Sequence, residues 1–161
     1  MDGERMAVDE AHFRRAMSHF ASGVTIVTTE HEGERFGMTV ASFASLSLRP
    51  PLVLVCIEQS TRTHEAIVAT GKFGVSILAQ GQAELSGRFA SHRPDRFEGV
   101  ILREGILGVP LIDGALTTVE CRVREQLPGG DHTIFVGEVE SVTTDDGAPL
   151  VYFRSSYHEL Q

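Results

Sequence analysis

No apolar run in this 161-residue chain approaches the ~20 residues that a membrane-spanning helix needs, and the acidic start Met1-Asp2-Gly3-Glu4-Arg5 lacks a signal-peptide core. These absences predict a protein without a membrane partner and with a cytoplasmic address. Basic charge is also short. The 14 Lys and Arg against 22 Asp and Glu give a formal charge of −8, and no basic patch gathers, which argues against a nucleic-acid partner. The two cysteines, Cys56 and Cys121, lie in strand-like runs with no second cysteine at metal or redox spacing, so they read as buried thiols. The seven histidines include no His-x-x-x-His pair, and no metal site is expected. No Gly-x-Gly-x-x-Gly follows a strand, no Gly-x-Ser-x-Gly occurs, and Gly71-Lys72 lacks the flanking residues of a phosphate-binding loop. Nucleoside-triphosphate chemistry and covalent hydrolysis therefore lose their usual signatures, although a triad is defined in space and not by spacing. Without repeats, low-complexity tracts or linkers, the length suits one domain over residues 1–161, with its core at about 13–157.

What is present is mostly strand. Asp9 is placed to cap a helix in which Phe13, Met17 and Phe20 recur on one face, with Gly23 placed to end it; such a helix is expected to pack on a sheet. Val24 to Thr29 alternates as a strand, and Glu30 to Arg35 is a polar turn leading back along Gly37 to Ser42, which makes a hairpin. Leu52 to Ile57 is a third strand and Phe73 to Leu78 a fourth, with a short helix from about Thr63 to Thr70 between them that stops at Gly71. A second short helix covers about Gln82 to Phe89. Ser91 to Leu111 reads as a long excursion with little regular structure, and long loops are often functional. Ala115 to Gln126, His132 to Thr143 and Leu150 to Arg154 complete at least seven strands. A closed or nearly closed antiparallel barrel with peripheral helices fits this order better than a doubly wound parallel sheet.

Three segments carry chemistry. The segment Gly37-Met38-Thr39-Val40-Ala41-Ser42-Phe43-Ala44-Ser45-Leu46-Ser47-Leu48-Arg49-Pro50-Pro51 interleaves small hydroxyl residues with a strand pattern before the apolar strand Leu52 to Ile57. Those hydroxyls face either water or a flat polar ligand. Downstream, Glu58-Gln59-Ser60-Thr61-Arg62-Thr63 sets hydroxyls and a guanidinium where a helix begins, an arrangement that suits an anion, although Arg62 also reads as a surface charge. Far along the chain, Gly129-Gly130-Asp131-His132 delivers a histidine to the mouth of a strand, as a ligand contact or as a turn-stabilising side chain.

The chain from Phe13 to Tyr157 resembles the flavin reductase-like family of split β-barrel flavoproteins, the NAD(P)H:flavin oxidoreductase components of two-component aromatic-ring monooxygenases. The resemblance rests on Gly37 to Phe43, Ser45 to Val53, Gly71-Lys72-Phe73, Arg88-Phe89-Ala90, Gly130-Asp131-His132 and Tyr152-Phe153-Arg154, in that order. It implies a mainly β, Greek-key split barrel with short peripheral α-helices, acting as a homodimer that binds FMN or FAD near the interface. By the same resemblance, Gly37, Met38, Thr39, Val40, Ala41 and Ser42 would run beside the isoalloxazine ring, with the Thr39 and Ser42 hydroxyls at its polar edge. Ser47 joins the flavin set, or with Ser45 pins the turn before Pro50. Cys56, Ile57 and Glu58 would line the ribityl chain, and Ser60, Thr61 and Arg62 would hold the phosphate. Phe89 and Ala90 would close over the site, while His132, Arg154 and Tyr157 would border the nicotinamide. Ala41 stands where other members carry a polar residue, which leaves one ring contact open.

The implied reaction is hydride transfer from NADH or NADPH to flavin, with reduced flavin leaving for a separate flavin-dependent oxygenase. Positioning governs such a transfer, so the lack of an activated nucleophile fits it. Two rivals remain: a protein that keeps FMN bound for electron transfer, and a flavin-binding barrel without turnover.

Overall fold

The computed structural model describes residues 7–161. Its strands are built around a hairpin: β2 (Thr25–His31) and β3 (Glu34–Val40) run antiparallel from Thr25 opposite Val40 to His31 opposite Glu34. The turn between them has Glu32 at φ 51° and Gly33 at φ 78°, the paired positive values that let two residues join right-twisted strands.

The sequence pattern runs from Gly37 to the double proline, but the structure divides it at Ala41–Ser42. Val40 still belongs to β3, whereas Phe43–Ser47 forms β4 and pairs with β5 (Leu52–Glu58). The break is fixed from both sides. Thr25 Oγ1 donates to the Val40 carbonyl at 2.6 Å, and the Cys56 N–H donates to the Ser42 carbonyl at 3.1 Å.

With β6 (Lys72–Ile77), β9 (Thr117–Gly129) and β10 (His132–Thr144), these strands form one seven-stranded antiparallel sheet in the order β3-β2-β6-β9-β10-β5-β4. Its two ends, β3 and β4, are consecutive in the chain yet not paired with one another. The barrel is split there, as the resemblance implied, whereas the strand pattern alone pointed to a closed or nearly closed one. The helix between β5 and β6 is α2 (Arg62–Thr70), capped by Thr61 and closed by Gly71 in the left-handed region at φ 66°.

Two apolar clusters sit on the two faces of the sheet. Val27, Val55, Ile57, Phe73, Val75 and Phe135 are among those filling the barrel, while Val24, Ile26, Leu78, Phe89, Ile112 and Leu150 pack outside it under α3 (Ala83–Ala90). Covering both faces buries Thr25, Thr28 and Thr29 of β2 as well. Their hydroxyls donate to the carbonyls of Val40, Pro110 and Lys72, which avoids the ~1–3 kcal/mol cost of an unpaired buried polar group.

Three expectations change. Helix α1 (Glu10–Met17) is capped by Asp9 but stops at Ser18, not Gly23, and packs on no sheet: it buries none of its residues, and Phe13, Met17 and Phe20 are 56%, 55% and 82% exposed. The excursion from Ser91 to Leu111 holds part of a small hairpin, β7 (Leu102–Glu104) and β8 (Pro110–Ile112). A buried carboxylate organises its turn: Glu120 accepts from the Leu107 N–H at 2.9 Å, and Lys72 Nζ donates to the Leu107 carbonyl at 2.5 Å. Beyond β11 (Val151–Phe153), the chain also turns back into β12 (Ser156–His158), and both join β1 (Ser22–Gly23) in a separate sheet.

Cys121 is fully buried, and burial pushes its thiol up to about 12, so it stays protonated and inert. Cys56 is only half-buried, a departure from the buried thiol expected of it. Among the described residues, no helix is long and apolar enough to cross a membrane.

Candidate functional site

The split of the barrel exposes backbone. Ala41 and Ser42 are exposed, and among the described residues their N–H groups have no intrachain acceptor. Around them the side chains are committed. Ser42 Oγ donates to the Cys56 carbonyl at 3.1 Å, and Thr39 Oγ1 donates to the Ser86 carbonyl at 2.6 Å. Since each hydroxyl has one hydrogen, Thr39 and Ser42 are left only lone pairs for a ligand, while the Ala41 and Ser42 N–H groups supply donors. A hollow of about 80 Å³ beside Ala41, lined also by Phe43, Ile77 and Ser22 to Thr25, is smaller than an enclosed ligand pocket of roughly 300–1,000 Å³. On the single chain this hollow is too small to enclose a flat ligand.

The second part of the site forms where β5 ends and β10 begins. Their register sets His132 directly opposite Glu58. Gln59 locks the two together: its N–H donates to the Asp131 carbonyl at 3.0 Å and its Nε2 to the His132 carbonyl at 3.2 Å. His132 Nδ1 lies 2.7 Å from Asp131 Oδ1, and that hydrogen bond holds the Asp131 carboxyl below the usual carboxylate range. Ser60 Oγ donates to Glu58 Oε1 at 3.0 Å, and Thr61 Oγ1 donates to the Glu58 carbonyl at 2.8 Å while accepting from the His64 N–H at 3.2 Å. Arg62 reaches back to β3, with Nη2 2.9 Å from Glu34 Oε1 and its guanidinium 5.1 Å from the Phe36 ring centroid. Charged and hydroxyl donors thus meet the first turn of α2, whose leading N–H groups have no intrahelical partner.

A family model described as flavin reductase like domain matches residues 17–161. The chain belongs to that family. An NADH-dependent flavin reductase from Rhodococcus is 46% identical over 96% of this chain and 88% of its own length. The reductase subunit HsaB of a flavin-dependent monooxygenase from Mycobacterium tuberculosis is 39% identical over 96% of this chain and 84% of its own. Among solved structures, the NADH:FAD oxidoreductase SgcE6 of Streptomyces globisporus, in complex with NAD and FAD fragments, superposes with a TM-score of 0.91 at 37% identity, covering 95% of this chain and 93% of that one.

Within this flavin reductase fold, not every residue anticipated from sequence offers a contact surface. Val40 and Ile57 point into the barrel core, so only their backbones face outward. Gly37 is buried too: a Cβ there would meet Phe97, Phe89 and Thr28 at 2.9–3.1 Å, and its carbonyl accepts from Arg96 Nη1 at 2.8 Å. Phe89 has no exposed surface. Its ring packs edge-on against Phe97 at 4.9 Å, which makes it part of the outer core and no lid, whereas Ala90 stays exposed. Met38 packs on the barrel core and Ser47 is half-buried at the end of β4.

Tyr157 Oη lies 2.7 Å from Ser86 Oγ, so it joins Thr39 through Ser86. Arg154 is exposed at φ 50°, its N–H donating to the Ser18 carbonyl at 2.8 Å. Among the described residues, no hydrogen bond or ring contact joins His132 to Arg154 or Tyr157, which the resemblance had placed on one side of the site. Sequence reasoning missed Ser86, Gln59 and Glu34. Only Gln59, lying inside the Glu58 to Arg62 motif, carried a local signal.

Proposed function

We propose that this flavin reductase takes a hydride from NADH, delivers it to FMN or FAD, and releases the reduced flavin to a separate flavin-dependent oxygenase. The observation that carries the reading is the register of β5 on β10, which sets His132 opposite Glu58, the strand end from which the donor set Ser60, Thr61 and Arg62 leads into α2. That donor set fits a phosphate by its chemistry: two hydroxyls, a guanidinium and a helix start.

Flavin, when bound, supplies the two-electron acceptor. The protein's part is to hold and orient. The Ala41 and Ser42 N–H groups meet the carbonyl edge of the ring, Thr39 and Ser42 accept from its N–H, and Arg62 with Ser60 and Thr61 holds the phosphate. His132 receives the nicotinamide amide. Assigning flavin to an open surface suits a product that must dissociate.

The expected result is NADH oxidation that rises with added flavin and saturates. Arg62→Ala raises KM for FMN about ten-fold or more, the size of one lost charge-assisted hydrogen bond, and leaves riboflavin unaffected. NADH oxidation that ignores added flavin would sink the reading.

The homodimer belongs to the same proposal. Among the described residues, helix α1 presents Phe13 and Met17 exposed, with Phe20 just beyond its end, and a second copy is the occupant we assign to that face. Light scattering is expected to give twice the 17.5 kDa chain mass, and Phe20→Asp to halve it and weaken flavin binding. A wild-type mass of one chain at assay concentration removes the dimer from the proposal. The compartment we assign is the cytoplasm.

A further inference from the structure

Each side chain assigned to the phosphate already donates to an acceptor of its own chain, and two of those acceptors are carboxylates. Arg62 Nη2 donates to Glu34 Oε1 at 2.9 Å, Ser60 Oγ to Glu58 Oε1 at 3.0 Å, and Thr61 Oγ1 to the Glu58 carbonyl at 2.8 Å. Glu34 opens β3 and Glu58 ends β5, so two distant strands converge on one donor set. A carboxylate oxygen and a phosphate oxygen make the same demand on a guanidinium.

We infer that Glu34 and Glu58 compete with the flavin phosphate for Arg62 and Ser60, which keeps flavin an exchangeable substrate. The inference rests on the assignment of Ser60 to Arg62 to the phosphate.

Three features support competition over a simple surface ion pair. The Arg62 and Glu34 side chains are 72% and 55% exposed, and an ion pair so exposed is weak enough for a phosphate to displace. Phe36 supports the guanidinium from beneath, so Arg62 keeps its place whichever anion it holds and only the carboxylate has to swing out. Finally, a phosphate at these donors stands close to two negative side chains. Neutralising one of them removes a repulsion as well as a competitor.

The test compares wild type, Glu34→Gln and Arg62→Ala by equilibrium titration of flavin fluorescence, with FMN and with riboflavin at fixed ionic strength. Glu34→Gln is isosteric at an exposed strand end. It is expected to lower the Kd for FMN about five-fold, within the range an exposed pair permits, and to slow FMN dissociation, with riboflavin unchanged. In the Arg62→Ala background the Glu34→Gln effect is expected to shrink to the part owed to the lost repulsion.

An unchanged or weakened FMN affinity in Glu34→Gln, while Arg62→Ala still weakens FMN, overturns the competition and leaves the phosphate assignment standing. An equal gain for riboflavin overturns it as well, because riboflavin has no phosphate to compete. If Arg62→Ala leaves FMN binding untouched, the phosphate assignment itself fails and the competition goes with it.

Discussion

His132→Ala is expected to lower kcat/KM for NADH about 10- to 100-fold, the cost of losing one positioning contact at a hydride-transfer site, with FMN affinity held near wild type. The tautomer follows from the neighbour. Asp131 stays ionised because the His132 hydrogen bond pulls its carboxyl below the usual range, and an ionised carboxylate only accepts. The proton between them therefore sits on His132 Nδ1, 2.7 Å from Asp131 Oδ1. In the neutral ring Nε2, with no partner among the described residues, is left as the acceptor for an amide N–H.

Asp131→Asn keeps the shape but lets the side chain donate to Nδ1, which turns the ring's donor outward. A smaller loss of kcat/KM is expected there, with folding unaffected. The sign with pH follows from the depressed Asp131 pKa: the pairing is intact above its ordinary range and fades as pH falls through the lowered value. Steady-state kinetics with NADH varied at saturating flavin, beside a flavin titration, decides the matter. A histidine variant that loses FMN as Arg62→Ala does would move His132 out of the nicotinamide's place.

How far the sequence carried depended on the range of the signal. The turn around Gly33, the α2 stop at Gly71 and the glycine turn before His132 are all written within a few residues; the last two lie where the pattern put them, while the first is tighter than Glu30 to Arg35, with only Glu32 and Gly33 outside the strands. The β11–β12 turn was invisible because Arg154 and Ser155 adopt φ 50° and 62° without a glycine or asparagine to announce it. The resemblance gave Phe89 a closing role, and nothing local showed that the excursion brings Phe97 onto its ring. The Glu34–Arg62 pair joins residues 28 apart in sequence through the barrel itself, and no local rule reaches it. The apolar stripe expected of α1 holds Phe13 and Met17 on the helix and Phe20 beyond its end, and among the described residues it buries nothing against a sheet.

Gly137→Ala is expected to be among the most damaging single-methyl changes in the barrel, at about 1–3 kcal/mol of stability and a fall in Tm of roughly 3–10 °C. Gly137 has no positive φ, so the argument is one of space. A Cβ there would lie 2.6 Å from Phe73 Cζ and 2.7 Å from Cys121 Cβ. Neither neighbour has room to yield: both are fully buried in the barrel cluster, and the cysteine atom is one bond from the β9 backbone.

The register of β10 on β9 already shifts between Val136 and Gly137, so relief of the clash would pull on the strand that carries His132. Gly87→Ala is the control. Gly87 lies inside α3 with nothing within 4 Å of the new methyl, so alanine there gains roughly 0.5–1 kcal/mol of helix stability. Phe73→Leu, which removes the ring atoms that the new methyl would strike, is expected to restore part of the Gly137→Ala loss. Thermal unfolding of the four proteins reads all of this. A Gly137→Ala protein melting within a degree of wild type would show that Phe73 and Cys121 have slack, and that β10 is held to the core less tightly than the packing says.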